Sequence, residues 1–174
     1  FPTPDDVIQK MFEYGNFIGH TELNILEPSA GIGSIVDAIM ERDHDHKVTC
    51  VEINNSLCEI LKLKGYDVLD EGDILNIKSN SGIHTEVFDR VIMNPPFEKG
   101  QDIQHIMHCY EHFLKEGGTL VSVASNSITF NSQKKYVEFR EFVDTHGEYV
   151  ELGQAFKGSF NNTGVSVCLV ILNK

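Results

Sequence analysis

The sequence predicts an α/β protein whose mostly parallel, seven-stranded sheet carries helices on both faces. Short apolar runs alternate with segments of helical periodicity along the whole chain, which is the pattern of strands joined by crossover helices. The chain has 174 residues, a length at which a single core is common, and we find no repeat, linker or low-complexity segment in it. We therefore expect one domain over residues 1–174, with ligands bound at the carboxyl ends of the strands.

The first half of the chain is expected to hold three helices and three strands. A helix should begin after Thr3-Pro4-Asp5, because proline is favoured in a first helical turn and apolar residues follow at helical spacing. A second helix should contain Ile35 and Ile39, and a third should end at Gly65. The strands are predicted at 23–26, 48–51 and 67–69.

The second half of the chain is expected to hold two helices and four strands. Apolar residues repeat at helical spacing over 103–114, and Gly117-Gly118 is the expected end of that helix. A further helix is predicted over 136–143, ending near Gly147. The strands are predicted at 88–93, 119–123, 149–152 and 165–172.

Composition restricts the class of protein. Apolar residues make up 41% and charged residues 23%, which is typical of a soluble globular chain. No apolar stretch is long enough to span a membrane, and no secretory signal is visible. Four cysteines stand far apart without a CxxC pair, so we expect no zinc site, no other metal, and a reducing cytoplasm as the location. The 14 basic and 26 acidic residues give a net charge of −12, which disfavours an extended nucleic-acid surface.

The loop after the first strand, Glu27 to Gly33, is a candidate ligand site. Its glycines let the backbone turn sharply and let a ligand approach closely. A dinucleotide fingerprint would need a third glycine, but position 36 is Val. Glu27 suits a ligand with a positively charged amine better than a pyrophosphate, although a plain strand-to-helix turn would look similar.

Two further acidic residues follow the second and third strands. Glu52 lies 19 residues after Gly33, close to the spacing at which an acidic side chain binds ribose hydroxyls. Asp73 is placed to accept a hydrogen bond from an exocyclic amine. Ile53 and Ile74 would then pack against the flat ring that carries this amine. The plain alternative for Glu52 is an exposed acidic residue at a strand end, and for Asp73 it is a solvated acidic residue in a turn.

The fourth strand runs into Asn94-Pro95-Pro96-Phe97. Two prolines fix φ and remove two backbone donors, so the Asn94 amide oxygen and the Pro95 carbonyl can serve as rigid acceptors. Phe97 offers a flat apolar face. This combination suits a planar group that carries an NH₂.

On these residues the chain resembles the class I methyltransferases that depend on S-adenosylmethionine, specifically the amino-group DNA methyltransferases acting on adenine N6. Asn94 to Phe97 matches their catalytic motif, which is written Asp/Asn/Ser-Pro-Pro-aromatic. The resemblance covers essentially the whole chain in the family's order. It implies a Rossmann-like methyltransferase fold, S-adenosylmethionine as cofactor, and a target base that is flipped out of the helix.

The same resemblance implies roles for individual residues. Phe1 to Pro4 resembles the N-terminal cofactor motif, and Glu27 to Gly33 the loop that holds the methionine portion. Glu52 falls at the ribose position, and Asp73 at the adenine position. The cofactor-binding residues so implied are Thr3, Glu27, Ala30, Gly31, Gly33, Glu52, Ile53, Asp73, Ile74 and Asn94. Phe160 resembles the late aromatic that packs on the flipped base together with Phe97, and Phe156 is a second candidate.

One part of the family pattern is missing. DNA methyltransferases of this kind carry a target-recognition domain, and none is expected within these residues. Lys134, Lys135, Arg140 and Lys157 are the basic residues expected nearest the site, although a solvated helix face would explain them almost as well. We expect DNA, or RNA, as the partner, with a separate specificity subunit or a recognition domain elsewhere, as in restriction-modification systems.

Other functions stay open at this point. The Asn-Pro-Pro-aromatic motif also occurs in enzymes that methylate guanine N2 in RNA or a glutamine amide in proteins. A non-catalytic cofactor-binding subunit of a modification complex is a further alternative. The histidines at 105, 108 and 112 are interpreted as surface residues of an amphipathic helix rather than metal ligands, since no acidic partner is set with them.

Overall fold

A computed structural model of the protein describes residues 2–17, 19–20, 22–69, 72–77, 88–152 and 166–174. The α-helices are α1 Asp5–Tyr14, α2 Ser34–Arg42, α3 Asn55–Leu63, α4 Gln101–His112 and α5 Lys134–His146. The strands are β1 Asn24–Glu27, β2 Lys47–Val51, β3 Asp67–Leu69, β4 Phe88–Met93, β5 Leu114–Ser125, β6 Gly147–Glu151 and β7 Val167–Asn173. Short 3₁₀ helices span Ile74–Asn76, Glu98–Gly100 and Asn126–Thr129.

The strands form one seven-stranded sheet in the order β3-β2-β1-β4-β5-β7-β6. Only β7 is reversed among these strands: it pairs antiparallel with β5 and β6, and the remaining pairs are parallel. The predicted fold class is therefore confirmed. The chain leaves β1 on one side for β2 and β3 and returns on the other side with β4. The strand order changes direction between β1 and β4, and this topological switch point is where sheets of this kind bind ligands.

Helices cover both faces of the sheet. Ile8 of α1 shares a buried cluster with Ile25 of β1, and α2 contributes to the same cluster. Ile106 of α4 shares a different cluster with Leu26, the next residue of β1, and α5 contributes there. Successive residues of a strand point to opposite faces, so these two clusters lie on opposite sides of the sheet. None of the described helices is long and apolar enough to cross a membrane.

The start of β5 differs from the prediction. The glycine pair 117–118 was expected to end a helix, but α4 ends at His112 and Leu114 already pairs with Phe88. Thr119 then pairs with Arg90, so the residues between form a bulge in which Gly117 has φ +75°. The helical periodicity misled the prediction because Phe113, in the turn after α4, and Leu114, the first residue of β5, are also buried.

Candidate active site

Two neighbouring cavities lie at the switch point, where the loops after β1 and β4 meet. The first, here the Glu27 cavity, has a volume of about 120 Å³ and is lined by Thr3, Glu27 and Asn94 among others. The second, here the Asp73 cavity, has a volume of about 360 Å³ and is lined by the residues following β2 and β3 and by α4. Ser29 lines both, so the two cavities adjoin along the loop after β1.

The glycine-containing loop is held in place by the backbone around it. Ala30 N–H donates to the Val51 carbonyl at 3.0 Å, which ties the loop to the end of β2. Gly33 has φ +89°, and a Cβ there would come within 2.9 Å of Leu61 in α3. Gly33 therefore turns the chain into α2 and allows α3 to pack closely, and it lines neither cavity.

Glu52 also holds this loop. Its side chain is buried, and Oε2 accepts a hydrogen bond from Gly31 N–H at 2.8 Å while Oε1 accepts one from Asn54 N–H at 2.8 Å. Glu52 thus connects the end of β2 to the loop after β1, a scaffolding role that its sequence spacing did not indicate.

Glu27 contrasts with Glu52 in its hydrogen bonding. It is 1% exposed, and its Oε2 has no hydrogen-bond partner among the described residues. Burial raises the pKa of Glu27 well above its usual range, and the nearby Glu52 carboxylate raises it further. A buried carboxylate without a donor is costly unless a cation pairs with it. The cavity in front of it is therefore suited to a ligand that brings a positive charge.

Asn94 follows β4 and faces the same cavity. Its Nδ2 donates to the Thr3 hydroxyl at 3.1 Å, so the segment before α1 fixes the orientation of the amide. With the nitrogen engaged, Oδ1 is left to accept a hydrogen bond. Pro95 is buried, Pro96 is exposed, and Phe97 packs partly against the cluster formed by α1.

The Asp73 cavity is lined by both polar and apolar side chains. Asp73 caps the 3₁₀ helix that follows it, with Oδ1 accepting from Leu75 N–H at 3.0 Å. Ile53 is 69% exposed and lies open to a ligand, whereas Ile74 lines the cavity from within the core. Glu52 also lines this cavity, so one carboxylate borders both the loop after β1 and the Asp73 cavity.

Most of the predicted site residues meet at the two cavities. Those lining the Glu27 cavity are Thr3, Glu27, Ala30, Gly31 and Asn94, and those lining the Asp73 cavity are Glu52, Ile53, Asp73, Ile74 and Pro96. Phe156 and Phe160 lie outside the described residues. Their roles, like the individual roles of the other site residues, stay predictions.

The prediction of a surface histidine was wrong at position 105. His105 is 8% exposed and lines the Asp73 cavity together with Gln101, one turn earlier on α4. Because α4 begins directly after the Asn94 loop, its first turns face the site, and the spacing from Asn94 could have indicated this. His108 is half-buried and its Nε2 lies 3.2 Å from the Ile77 carbonyl. Across the described residues, no group of three or more His, Cys, Asp or Glu side chains is arranged to hold a metal ion.

Three basic residues of the expected patch each contact other parts of the chain, although Lys134 and Lys135 are exposed. Arg140 donates to the carbonyls of Ile128 and Asn131, at 2.8 and 2.9 Å. Lys135 bonds to the Lys99 carbonyl in the loop after β4, and Lys134 lies 3.5 Å from Glu138. Lys157 is outside the described residues. Arg140 and Lys135 therefore contact neighbouring loops, whereas Lys134 is exposed and pairs with a glutamate on its own helix.

Solved methyltransferases share this fold. A dimethyladenosine transferase from Plasmodium falciparum superposes with a TM-score of 0.67 at 17% identity, over 99% of this chain and 62% of that one. A geranyl diphosphate C-methyltransferase from Streptomyces coelicolor A3(2), solved with S-adenosyl-L-homocysteine, superposes with a TM-score of 0.66 at 11% identity, over 97% of this chain and 78% of that one. At these identities the likeness establishes the Rossmann-like methyltransferase fold.

A curated relative matches in sequence. The modification methylase CviBIII of Paramecium bursaria Chlorella virus NC1A is 25% identical over an alignment that covers 99% of this chain and 48% of the relative. The chain therefore spans about half the length of that protein.

The family model described as "Methyltransferase small domain" matches residues 15–152, which include both cavities' strand-end loops. This match agrees with the sheet order, the glycine loop and the strand-end acids described above. It confirms the predicted class and its cofactor, S-adenosylmethionine. The chain belongs to the methyltransferase small domain family, within the class I methyltransferases.

Proposed function

We propose that this domain transfers a methyl group from S-adenosylmethionine to an exocyclic amino group, and that the target is adenine N6 in DNA. The observation that carries the proposal is the Asn94 amide, whose nitrogen is held by Thr3 while its oxygen remains an acceptor beside the Glu27 cavity. A fixed acceptor at the end of β4, followed by two prolines, suits a planar NH₂ group.

The two cavities fit the cofactor. When bound, S-adenosylmethionine supplies an electrophilic methyl group on a sulfonium centre. Glu27, buried and without a donor among the described residues, is suited to its ammonium group. Glu52 has lone pairs left for ribose hydroxyls after its two backbone bonds, and Asp73 has Oδ2 left for the adenine amine.

The chain's own contribution to the reaction is positioning and polarisation. The amine of adenine is a weak nucleophile, because its lone pair is delocalised into the ring. Asn94 Oδ1 and the Pro95 carbonyl accept its two hydrogens and favour a tetrahedral nitrogen. Phe97 stacks against the ring of the target base. Preorganised acceptors of this kind stabilise the charge that develops on the amine, so no strong base is needed.

Nucleic acid is the favoured substrate class because the matching relative is a modification methylase. The net charge of −12, the pairing of Lys134 with Glu138, and the hydrogen bonds of Lys135 and Arg140 to backbone carbonyls leave little attraction for phosphates. We therefore infer that sequence choice depends on a specificity subunit or a recognition domain outside these residues. Alone, this domain should act weakly, and better on single-stranded than on duplex DNA, since unstacking then costs less.

The test is transfer of a labelled methyl group from S-adenosylmethionine to DNA, RNA and protein offered separately, with Asn94→Ala as the matched control. Digestion of methylated DNA should yield N6-methyladenine, with single strands preferred. Label found in RNA guanine or in protein glutamine would show that the substrate is RNA or protein rather than DNA. Cofactor binding without transfer to any of the three would identify a non-catalytic subunit. Tight, sequence-specific methylation of duplex DNA by this chain alone would contradict the external recognition element.

A further inference from the structure

His105 is a buried polar side chain to which the mechanism above gives no role. It lines the Asp73 cavity and is 8% exposed. Neither ring nitrogen has a hydrogen-bond partner among the described residues, and of the two only Nδ1 is fully enclosed. Nε2 is therefore the nitrogen that can reach a ligand in the cavity.

The environment of His105 sets its protonation. Burial lowers the pKa of His105, the neighbouring His108 lowers it further, and the Asp73 carboxylate opposes these two effects only in part. The imidazole is therefore neutral near pH 7 and carries one N–H. A buried donor without an acceptor is rarer in proteins than an under-used acceptor, so the proton belongs on Nε2 and the enclosed Nδ1 keeps its lone pair.

Asp73 provides the complementary group in the same cavity. Its Oδ1 already accepts from Leu75 N–H, so Oδ2 is the acceptor that remains. The cavity thus presents an acceptor on Asp73 and a donor on His105, close enough to interact electrostatically. The polar edge of adenine displays the matching pair, an exocyclic N–H beside a ring nitrogen acceptor. The 6-oxo ring of hypoxanthine displays the reverse pair.

We propose that His105 is a further cofactor-binding residue, whose Nε2–H pairs with a ring nitrogen of the cofactor's adenine while Asp73 accepts from the exocyclic amine. This assignment rests on the proposed cofactor geometry. The proposal adds to that geometry a hydrogen-bond donor on α4, which selects adenine over its deaminated form.

Calorimetry on the whole chain tests the proposal with two ligands, S-adenosylhomocysteine and its 6-oxo analogue S-inosylhomocysteine. His105→Phe keeps a ring of similar size without the donor, and His105→Gln keeps an N–H donor. His112→Phe, on the same helix but outside the cavity, is the matched control. His105→Phe should weaken S-adenosylhomocysteine binding by about tenfold, as for one neutral hydrogen bond, and change the analogue by less than about threefold. His105→Gln should stay within about threefold of the wild type, and His112→Phe should leave both affinities unchanged.

The outcomes separate this proposal from the proposed function. If the wild type binds no S-adenosylhomocysteine, the proposed function fails. If the wild type binds it and His105→Phe binds equally well, or loses both ligands equally, the role of His105 is overturned and the function stands. Should the variants not fold, ¹⁵N NMR of histidine-labelled wild type decides. Saturating S-adenosylhomocysteine should shift the Nε2 signal of His105, and an unchanged signal overturns the proposal.

Discussion

The carboxylates at the ends of β1 and β2 occupy neighbouring strands, are both buried, and have opposite surroundings. Glu52 accepts two backbone N–H groups, one from the loop after β1 and one from the start of α3. Glu27 has an oxygen with no donor among the described residues and a raised pKa. The same residue type therefore accepts backbone donors at one strand end and is buried beside the Glu27 cavity, with an oxygen that has no donor among the described residues, at the next.

This difference gives a rule for sorting the polar groups of the site. Groups whose hydrogen-bonding capacity is used internally should matter for stability, and groups with an unused buried atom should matter for binding or rate. Asn94 contains both kinds of atom, because its nitrogen is held by Thr3 and its oxygen is open. Substitutions at these positions test the rule, and they differ in size and in sign.

The largest expected effect is at the open oxygen of Asn94. Asn94→Ala should lower the rate of methyl transfer at saturating cofactor by about two to three orders of magnitude, as for the loss of one preorganised polar group. Affinity for S-adenosylhomocysteine, measured by calorimetry, should change far less, because the carboxylates proposed to bind the cofactor remain. A variant that transfers methyl groups at the wild-type rate would place the chemistry elsewhere.

The next effect is at Glu27. Glu27→Gln should weaken S-adenosylmethionine binding by roughly 10- to 150-fold, the equivalent of about 1.5–3 kcal/mol for a hydrogen bond to a charged group. Wild-type affinity should also fall as pH drops below the raised pKa of Glu27, because the protonated carboxyl cannot pair with an ammonium. Glu27→Gln should lose this pH dependence. Calorimetry across a pH series measures both effects, and equal pH profiles for the two proteins would exclude Glu27 as the counter-ion.

Replacing Glu27 and replacing Glu52 should change the stability of the fold in opposite directions. A carboxyl whose pKa is raised on folding holds a proton in the folded state that it loses when unfolded above about pH 4.5. The contribution of Glu27 to stability is therefore greatest at low pH and falls as pH rises toward its folded-state pKa. Without ligand, Glu27→Gln should consequently melt above the wild type at pH 8, and the difference should shrink toward pH 4.5.

Glu52→Gln should instead destabilise the protein by about 1–3 kcal/mol, because the amide nitrogen cannot accept from Gly31 or Asn54. Urea unfolding of the ligand-free protein at pH 8 gives both values on one scale. Two shifts of the same sign would contradict the distinction between scaffold and open carboxylate.

The strands and most helices could be predicted because local pattern determines them. Apolar runs marked all seven strands, and the turn residues placed their ends within a few positions. The early start of β5 was not predicted, because the bulge there depends on pairing between Phe88 and Leu114 rather than on local sequence. Position at or after a strand end also indicated Glu27, Glu52 and Asp73, because the carboxyl ends of parallel strands meet at the same edge of the sheet.

What sequence could not give was the use of each polar atom. Nothing in the spacing distinguishes a Glu52 that accepts two backbone donors from a Glu27 that accepts none at Oε2, since those donors come from other segments. His105 was missed for the same reason. Its burial depends on where α4 packs against the Asp73 cavity, and a helical period alone does not reveal which neighbour covers a face.

The smallest expected effect is at Thr3, whose hydroxyl accepts a hydrogen bond from Asn94. Thr3→Val keeps the shape and removes the hydroxyl that holds Asn94 Nδ2, so the amide can rotate away from its productive orientation. The maximal rate should fall by about twofold to tenfold, the range of one neutral hydrogen bond, with little change in cofactor affinity. Thr3→Ser restores the hydroxyl and should recover most of the rate, which separates orientation from simple loss of packing. The effect should also vanish in the Asn94→Ala background, where no amide remains to orient. If Thr3→Val slows that background as much as it slows the wild type, Thr3 acts by another route.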